Sequence, residues 1–198
     1  MTTPQFDIRP SLIKGDPADA YLHWTKEVMR LESLNPKVLM DFSTPNPGVL
    51  CGVEEAKALL LNVLPKVEQD KQANNGGDIV QVWAMEEGEK FEAGEPVLRV
   101  IAKYASFGLY ETSILGMLSS SSGWATASKE CVEAAGETTV IAYGARHIHP
   151  NVAHILDYAS VVGGCSSVST IIGSKHAGRN PLGNMPHSLP LLFGDTVA

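Results

Sequence analysis

The residues best suited to chemistry lie in YGARHIHP, at 143–150. An apolar run over 138–143 has the character of a strand, and it empties through Gly144 into Arg146, His147 and His149. Arg146 offers a planar fork of N–H donors that meets a phosphate or a carboxylate in two contacts at once. A histidine near neutral pH holds or moves a proton. Pro150 then suits the first turn of a helix, whose opening amides lack partners and attract anions. Two more transitions of this kind are predicted at GGCSSVS (163–169) and GNMPHS (183–188). Three loops would thus turn Arg, His, Ser and backbone N–H groups toward one mouth, a site for a polyanionic, ribose-bearing ligand. Each residue also has a structural reading. Arg146 can pair with an acid on a helix face, and Ser166, Ser167 and Ser169 are ordinary helix caps. Lys175 can be solvated near a helix end, His187 satisfied locally at a helix start, and His149 a brace for its loop. His154 and His176 read as structural, because they fall within helices without spaced ligand partners.

The elements that must position these loops follow from periodicity. Residues 16–33 predict a helix capped by Asp16 with Pro17 in its first turn and Asp19 facing the dipole. Tyr21, Trp24, Val28 and Leu31 share one of its faces, so periodicity makes Tyr21 a core residue. A strand is expected at 37–44, a turn at 45–48 and a second helix at 52–64. Residues 78–104 alternate apolar and polar positions around turns at 87–89 and 93–96 and predict a compact β region. Helical spacing returns over 107–136, with Tyr110, Ile114, Leu115 and Leu118 on one face. The serines at 119–122 favour a break or cap near Gly123, and Gly136 a stop. From 138 the order is strand, helix to Gly163-Gly164, short element, a helix capped by Ser166 or Ser167, then a brief strand, a loop and a helix from Pro186. Pro190 costs that last helix only an early hydrogen bond. Repeated βα units imply parallel strands with helices outside, and reactive residues at strand ends are where a β/α barrel keeps its chemistry.

Composition bounds the rest. The chain has 198 residues, 44% hydrophobic content and a net charge of −7, which argues against nucleic-acid or anionic-membrane partners. No apolar run reaches the roughly 18 residues of a membrane span, and MTTPQFDIRP lacks a signal-peptide pattern. Cys51, Cys131 and Cys165 are far apart, which fits a reducing cytoplasm better than a disulfide framework or zinc site.

Four motifs in order, FGLYETSILGMLSSSSGWAT, YGARHIHP, GGCSSVSTIIGSK and PLGNMPHSLPLLFGDT, resemble the nicotinate phosphoribosyltransferase family. The resemblance, on the branch related to quinolinate phosphoribosyltransferase, runs from about Lys14 to the last residue. It implies an α/β fold: an N-terminal α+β domain with a small β region over 1–136, then the first units of an incomplete α/β barrel over 137–198. It implies a reaction joining nicotinate to 5-phosphoribosyl-1-pyrophosphate, giving nicotinate mononucleotide and pyrophosphate in NAD biosynthesis, with ATP and Mg2+ as cofactors. The magnesium ligands would lie outside this chain. A cytoplasmic homodimer or larger homo-oligomer is also implied. Arg146 matches the family's motif arginine, and His187 matches the histidine that couples ATP by becoming phosphorylated. Tyr21 matches an aromatic that stacks on the pyridine ring from the partner subunit. Lys175 and Ser166, Ser167 and Ser169 would complement phosphate, and His149 would contact substrate.

Two departures bear on affinity. His147 stands where relatives often carry a second arginine, and Asn184 where they often carry threonine. Length is a third, since such a barrel takes about 250 residues and only some three units follow residue 138. The chain is therefore expected to be an N-terminal portion with an open parallel edge. Three other readings compete. A decarboxylating quinolinate phosphoribosyltransferase needs a more basic pocket. A non-catalytic binding module would follow if the frame ends at 198. A lipoyl-type carrier lacks a Met-Lys-Met tip in EEGEKFEAG.

Overall fold

The computed structural model describes residues 6–64 and 80–194. A short helix α1 (Pro10–Lys14) precedes α2 (Ala20–Leu31). Asp16 and Pro17 lie in the turn between them, so the expected cap moves to Asp19. The Asp19 carboxylate accepts from the Thr112 hydroxyl at 2.8 Å instead of capping its own helix. The buried face of α2 is Leu22 and Met29, seven residues apart. Tyr21, Trp24, Val28 and Leu31 are exposed, Trp24 to 68%, so the predicted core stripe is a surface stripe.

Strand β1 (Lys37–Phe42) is followed by β2 (Gly48–Val49), α3 (Val53–Val63), β3 (Gln81–Ala84), β4 (Lys90–Phe91) and β5 (Leu98–Lys103). Residues 78 and 79 of the predicted β region fall outside the described ones. The region is not self-contained. β5 lies between β1 and β3, antiparallel to both, with Phe42 and Ala84 each opposite Leu98, while β4 pairs with β2. Alternation turns Leu98, Val100 and Ala102 inward to meet Val53, Ala56, Leu59 and Leu60 of α3. The outer face carries the two-pronged Arg99–Asp41 pair at 2.6 and 2.7 Å.

After α4 (Tyr104–Phe107) and a 3-10 turn (Gly108–Tyr110), α5 (Glu111–Ala135) runs 25 residues through Gly123 without the expected break. The hydroxyl-rich stretch has another use. Ser122 Oγ accepts from the Cys51 amide at 3.0 Å and donates to the Cys51 carbonyl at 3.1 Å, and Thr126 Oγ1 accepts from the Val49 amide at 2.9 Å. These bonds satisfy the backbone between β2 and α3 where it crosses α5. Gly52, at φ +88°, passes so close to the Met117 carbonyl that a Cβ would collide with it. On the face of α5, Ile114 and Leu118 are buried and Leu115 is exposed.

β6 (Ile141–Ala142), far shorter than the expected 138–143, is followed by 3-10 turns at Gly144–His147 and Pro150–Val152, then α6 (Ala153–Val162). β7 (Ser167–Val168) pairs parallel to β6, Ala142 opposite Val168, with α6 as the crossover. α7 (Ile171–His176) and α8 (Ser188–Phe193) complete the described chain, with no strand described over 180–187. α7 is capped by Thr170, which displaces Ser166 and Ser167 from that role. α6 packs on α5, and Ala125, Tyr158 and Ala159 join Val49 and Cys51 in a second apolar cluster. The chain is thus a mixed α/β fold.

Candidate active site

Because β6 and β7 are parallel, the segments that leave them emerge at the same end. After β6 the chain turns through Gly144–His147, leaving Arg146 and His147 exposed. The Arg146 guanidinium has no hydrogen bond or ion pair among the described residues. His149 is exposed too, and its Nδ1 accepts from the Asn151 amide at 3.2 Å. The neutral ring then carries its proton on Nε2. After β7, Ser169 donates its amide to the Ala142 carbonyl at 3.1 Å, and Leu182 donates to the Val168 carbonyl at 3.0 Å. The second bond holds Leu182 at that strand end, and Asn184 and His187 follow it in the chain. Asn184 and His187 are both exposed, and His187 precedes α8 without capping it.

Other predicted site residues stand elsewhere. Ser166 and Ser167 lie on the entering side of β7. Ser166 donates to the Val140 carbonyl at 3.0 Å, and buried Ser167 donates to the Asn180 carbonyl at 2.5 Å, so both hydroxyls are committed. Lys175 lines a cleft of about 640 Å³ between α1, α6 and α7, with Arg9, Glu55, His154 and His176. Tyr21 belongs to the exposed stripe of α2.

His176 packs edge to face on Phe6, Tyr158 and His154, at centroid distances of 5.0, 5.2 and 5.6 Å. Burial holds both imidazoles below their ordinary protonation range. Two residues escaped the sequence reading. Thr170 donates its hydroxyl to Asp157 Oδ2 while accepting from the Gly173 amide at 3.0 Å. Asp157 is fully buried, and burial raises its carboxyl above the usual range. Both had signals: a threonine directly before an apolar helical pattern, and a lone acid inside HILDYASVV. Among the described residues, no group of three or more His, Cys, Asp and Glu is placed to hold a metal ion.

An exposed guanidinium and two imidazoles after β6, with a serine after β7, suit a ligand with phosphate and carboxylate groups. A model of the quinolinate phosphoribosyl transferase N-terminal domain matches residues 19–122. The chain belongs to this family. Similar curated proteins include two nicotinate phosphoribosyltransferases of Mycobacterium tuberculosis. pncB2 is 30% identical over 118 residues, 59% of this chain and 26% of that protein. pncB1 is 29% identical over 106 residues, 54% of this chain and 24% of that protein. Among solved structures, a nicotinate-nucleotide pyrophosphorylase from Pyrococcus furiosus superposes with a TM-score of 0.83 at 37% identity, covering 100% of this chain and 48% of that one. Human nicotinic acid phosphoribosyltransferase, at 21% identity and a TM-score of 0.68 over 88% of this chain and 40% of that one, shares the fold. The chain therefore spans about a quarter of the curated relatives' length and about half of the Pyrococcus chain. No described helix is long and apolar enough to cross a membrane.

Proposed function

We propose that this chain supplies the N-terminal part of a nicotinate phosphoribosyltransferase. The reaction joins nicotinate to 5-phosphoribosyl-1-pyrophosphate, releasing nicotinate mononucleotide and pyrophosphate in NAD biosynthesis. The observation that carries the reading is the exposed Arg146 guanidinium, which has no hydrogen bond or ion pair among the described residues and stands with His147 and His149 beyond β6, in a chain of this family. As the pyridine nitrogen bonds to the ribose C1, the bond to pyrophosphate breaks and both electrons leave with it. The sugar becomes cation-like while negative charge grows on the departing oxygen. Protein groups lower that barrier by orientation and by donors aimed at the growing charge. Arg146 is the donor for phosphate or for the substrate carboxylate, and Ser169, after β7, adds a hydroxyl. His149 offers Nε2–H to the same mouth.

His187 is exposed, as a phosphoryl acceptor must be, and ATP is the proposed donor. Magnesium belongs to the proposal for the whole protein only. The described residues do not fit a metal, so no step of this chain is routed through one. A cytoplasmic homodimer completes the reading, with Tyr21 reaching into the neighbouring subunit's site from the exposed face of α2.

The family model's name and the likeness of the whole of this chain to half of the Pyrococcus pyrophosphorylase favour a second reading, a decarboxylating quinolinate phosphoribosyltransferase. Assay of the full chain with each acid separates them, since only quinolinate releases carbon dioxide. Transfer to nicotinate, stimulated by ATP, supports the first reading; His187→Gln should abolish the stimulation and leave the melting temperature unchanged. Turnover of quinolinate alone would replace it with the second.

A further inference from the structure

The mouth at the ends of β6 and β7 has a support that none of its own residues provides. Thr170 follows Ser169 directly and uses one hydroxyl twice, donating to Asp157 Oδ2 and accepting the Gly173 amide. Asp157 is fully buried on α6, and its Oδ1 has no partner among the described residues. Gly173 presses on the same side chain, and a Cβ there would collide with Asp157 Oδ2, Cβ and Cγ. α7 thus sits as close to α6 as backbone allows. α6 in turn packs on the Gly144–His147 turn that bears Arg146. An unpartnered buried polar oxygen destabilises the fold, so this carboxyl is a poor choice for stability alone.

We infer that Asp157 and Thr170 are positioning residues that lock the turn after β7, and with it Ser169, against the loop bearing Arg146. The inference rests on the phosphoribosyltransferase reading. α6 becomes a frame carrying one site loop at its N-terminal end and clamping the other through a carboxyl–hydroxyl–amide chain.

The test compares Thr170→Val, Thr170→Ser and Asp157→Asn in the full chain. Serine keeps the hydroxyl, and asparagine keeps an acceptor oxygen. In Thr170→Val the KM for phosphoribosyl pyrophosphate should rise by roughly tenfold or more while the KM for the pyridine acid stays within about twofold. Thr170→Ser and Asp157→Asn should recover most of that loss. Equal rises in both KM values together with a lower melting temperature would overturn the inference, as would a serine variant no better than valine. Failure of the unsubstituted chain to transfer a phosphoribosyl group defeats the functional reading on its own. Hydrogen exchange at the Gly173 amide then judges the clamp: faster exchange in valine, restored in serine, supports it, and unchanged exchange refutes it.

Discussion

Arg146 is held at a strand end with its charge unpaired among the described residues, the condition for meeting a ligand anion. Arg146→Gln is expected to lower kcat/KM by about a hundredfold at an unchanged melting temperature. Arg146→Lys should recover only part of it, because an ammonium cannot reproduce the two-pronged contact. Steady-state kinetics with a thermal melt measures both. The position of this residue was legible in the sequence, bracketed by an apolar run before it and Pro150 after it. The serines at 166 and 167 were not. A two-residue strand leaves no periodicity, so the pairing of Ala142 with Val168 decides which side of β7 each serine occupies. That pairing is made across 26 residues of sequence. Asp157 was hidden for the same reason, since its meaning depends on Thr170 arriving from the next unit.

Among the elements, β1, α3 and the helical core of α6 follow from local pattern, while helix ends depend on distant partners. Glu87 is the clearest case. Its carboxylate accepts from the amides of Gly52, Val53 and Glu54 at 2.7, 3.1 and 3.2 Å, closing the first turn of α3 from the loop between β3 and β4. Glu87→Ala should cost about 1–3 kcal/mol in denaturant unfolding with the slope unchanged. The missed continuity of α5 has a similar origin, since Ser122 and Thr126 spend their hydroxyls on the β2–α3 backbone. The ring cluster of α6 and α7 makes a pH prediction. His154 and His176 are lowered from their ordinary 6.5, so below that value the folded chain binds fewer protons than the unfolded one and loses stability as pH falls. Asp157 and Glu87, raised by burial, act in the opposite sense as pH rises above their ordinary 3.8 and 4.5. Substitution isolates the histidine share. His176→Phe should narrow the drop in Tm between about pH 7.5 and about pH 5.5 relative to the unsubstituted chain.

For the whole molecule, the exposed stripe of Tyr21, Trp24, Val28 and Leu31 is an apolar surface left open to solvent in a monomer. Periodicity identified the stripe and misassigned its side, because a helix pattern marks an apolar face without saying whether the covering atoms belong to the same chain. If a second copy covers it, Trp24→Glu in the full chain should shift sedimentation from dimer to monomer and lower activity together; a monomeric unsubstituted chain would end that proposal. The closure of α3 by Glu87 has a consequence in time. The helix starts at residue 53 and the group that finishes it is residue 87, so its first turn stays open to water until the β3–β4 loop has folded back. Helix α3 should therefore be a late participant at its N-terminal end, with φ-values near zero for Glu87 and higher values toward Leu59 and Leu60.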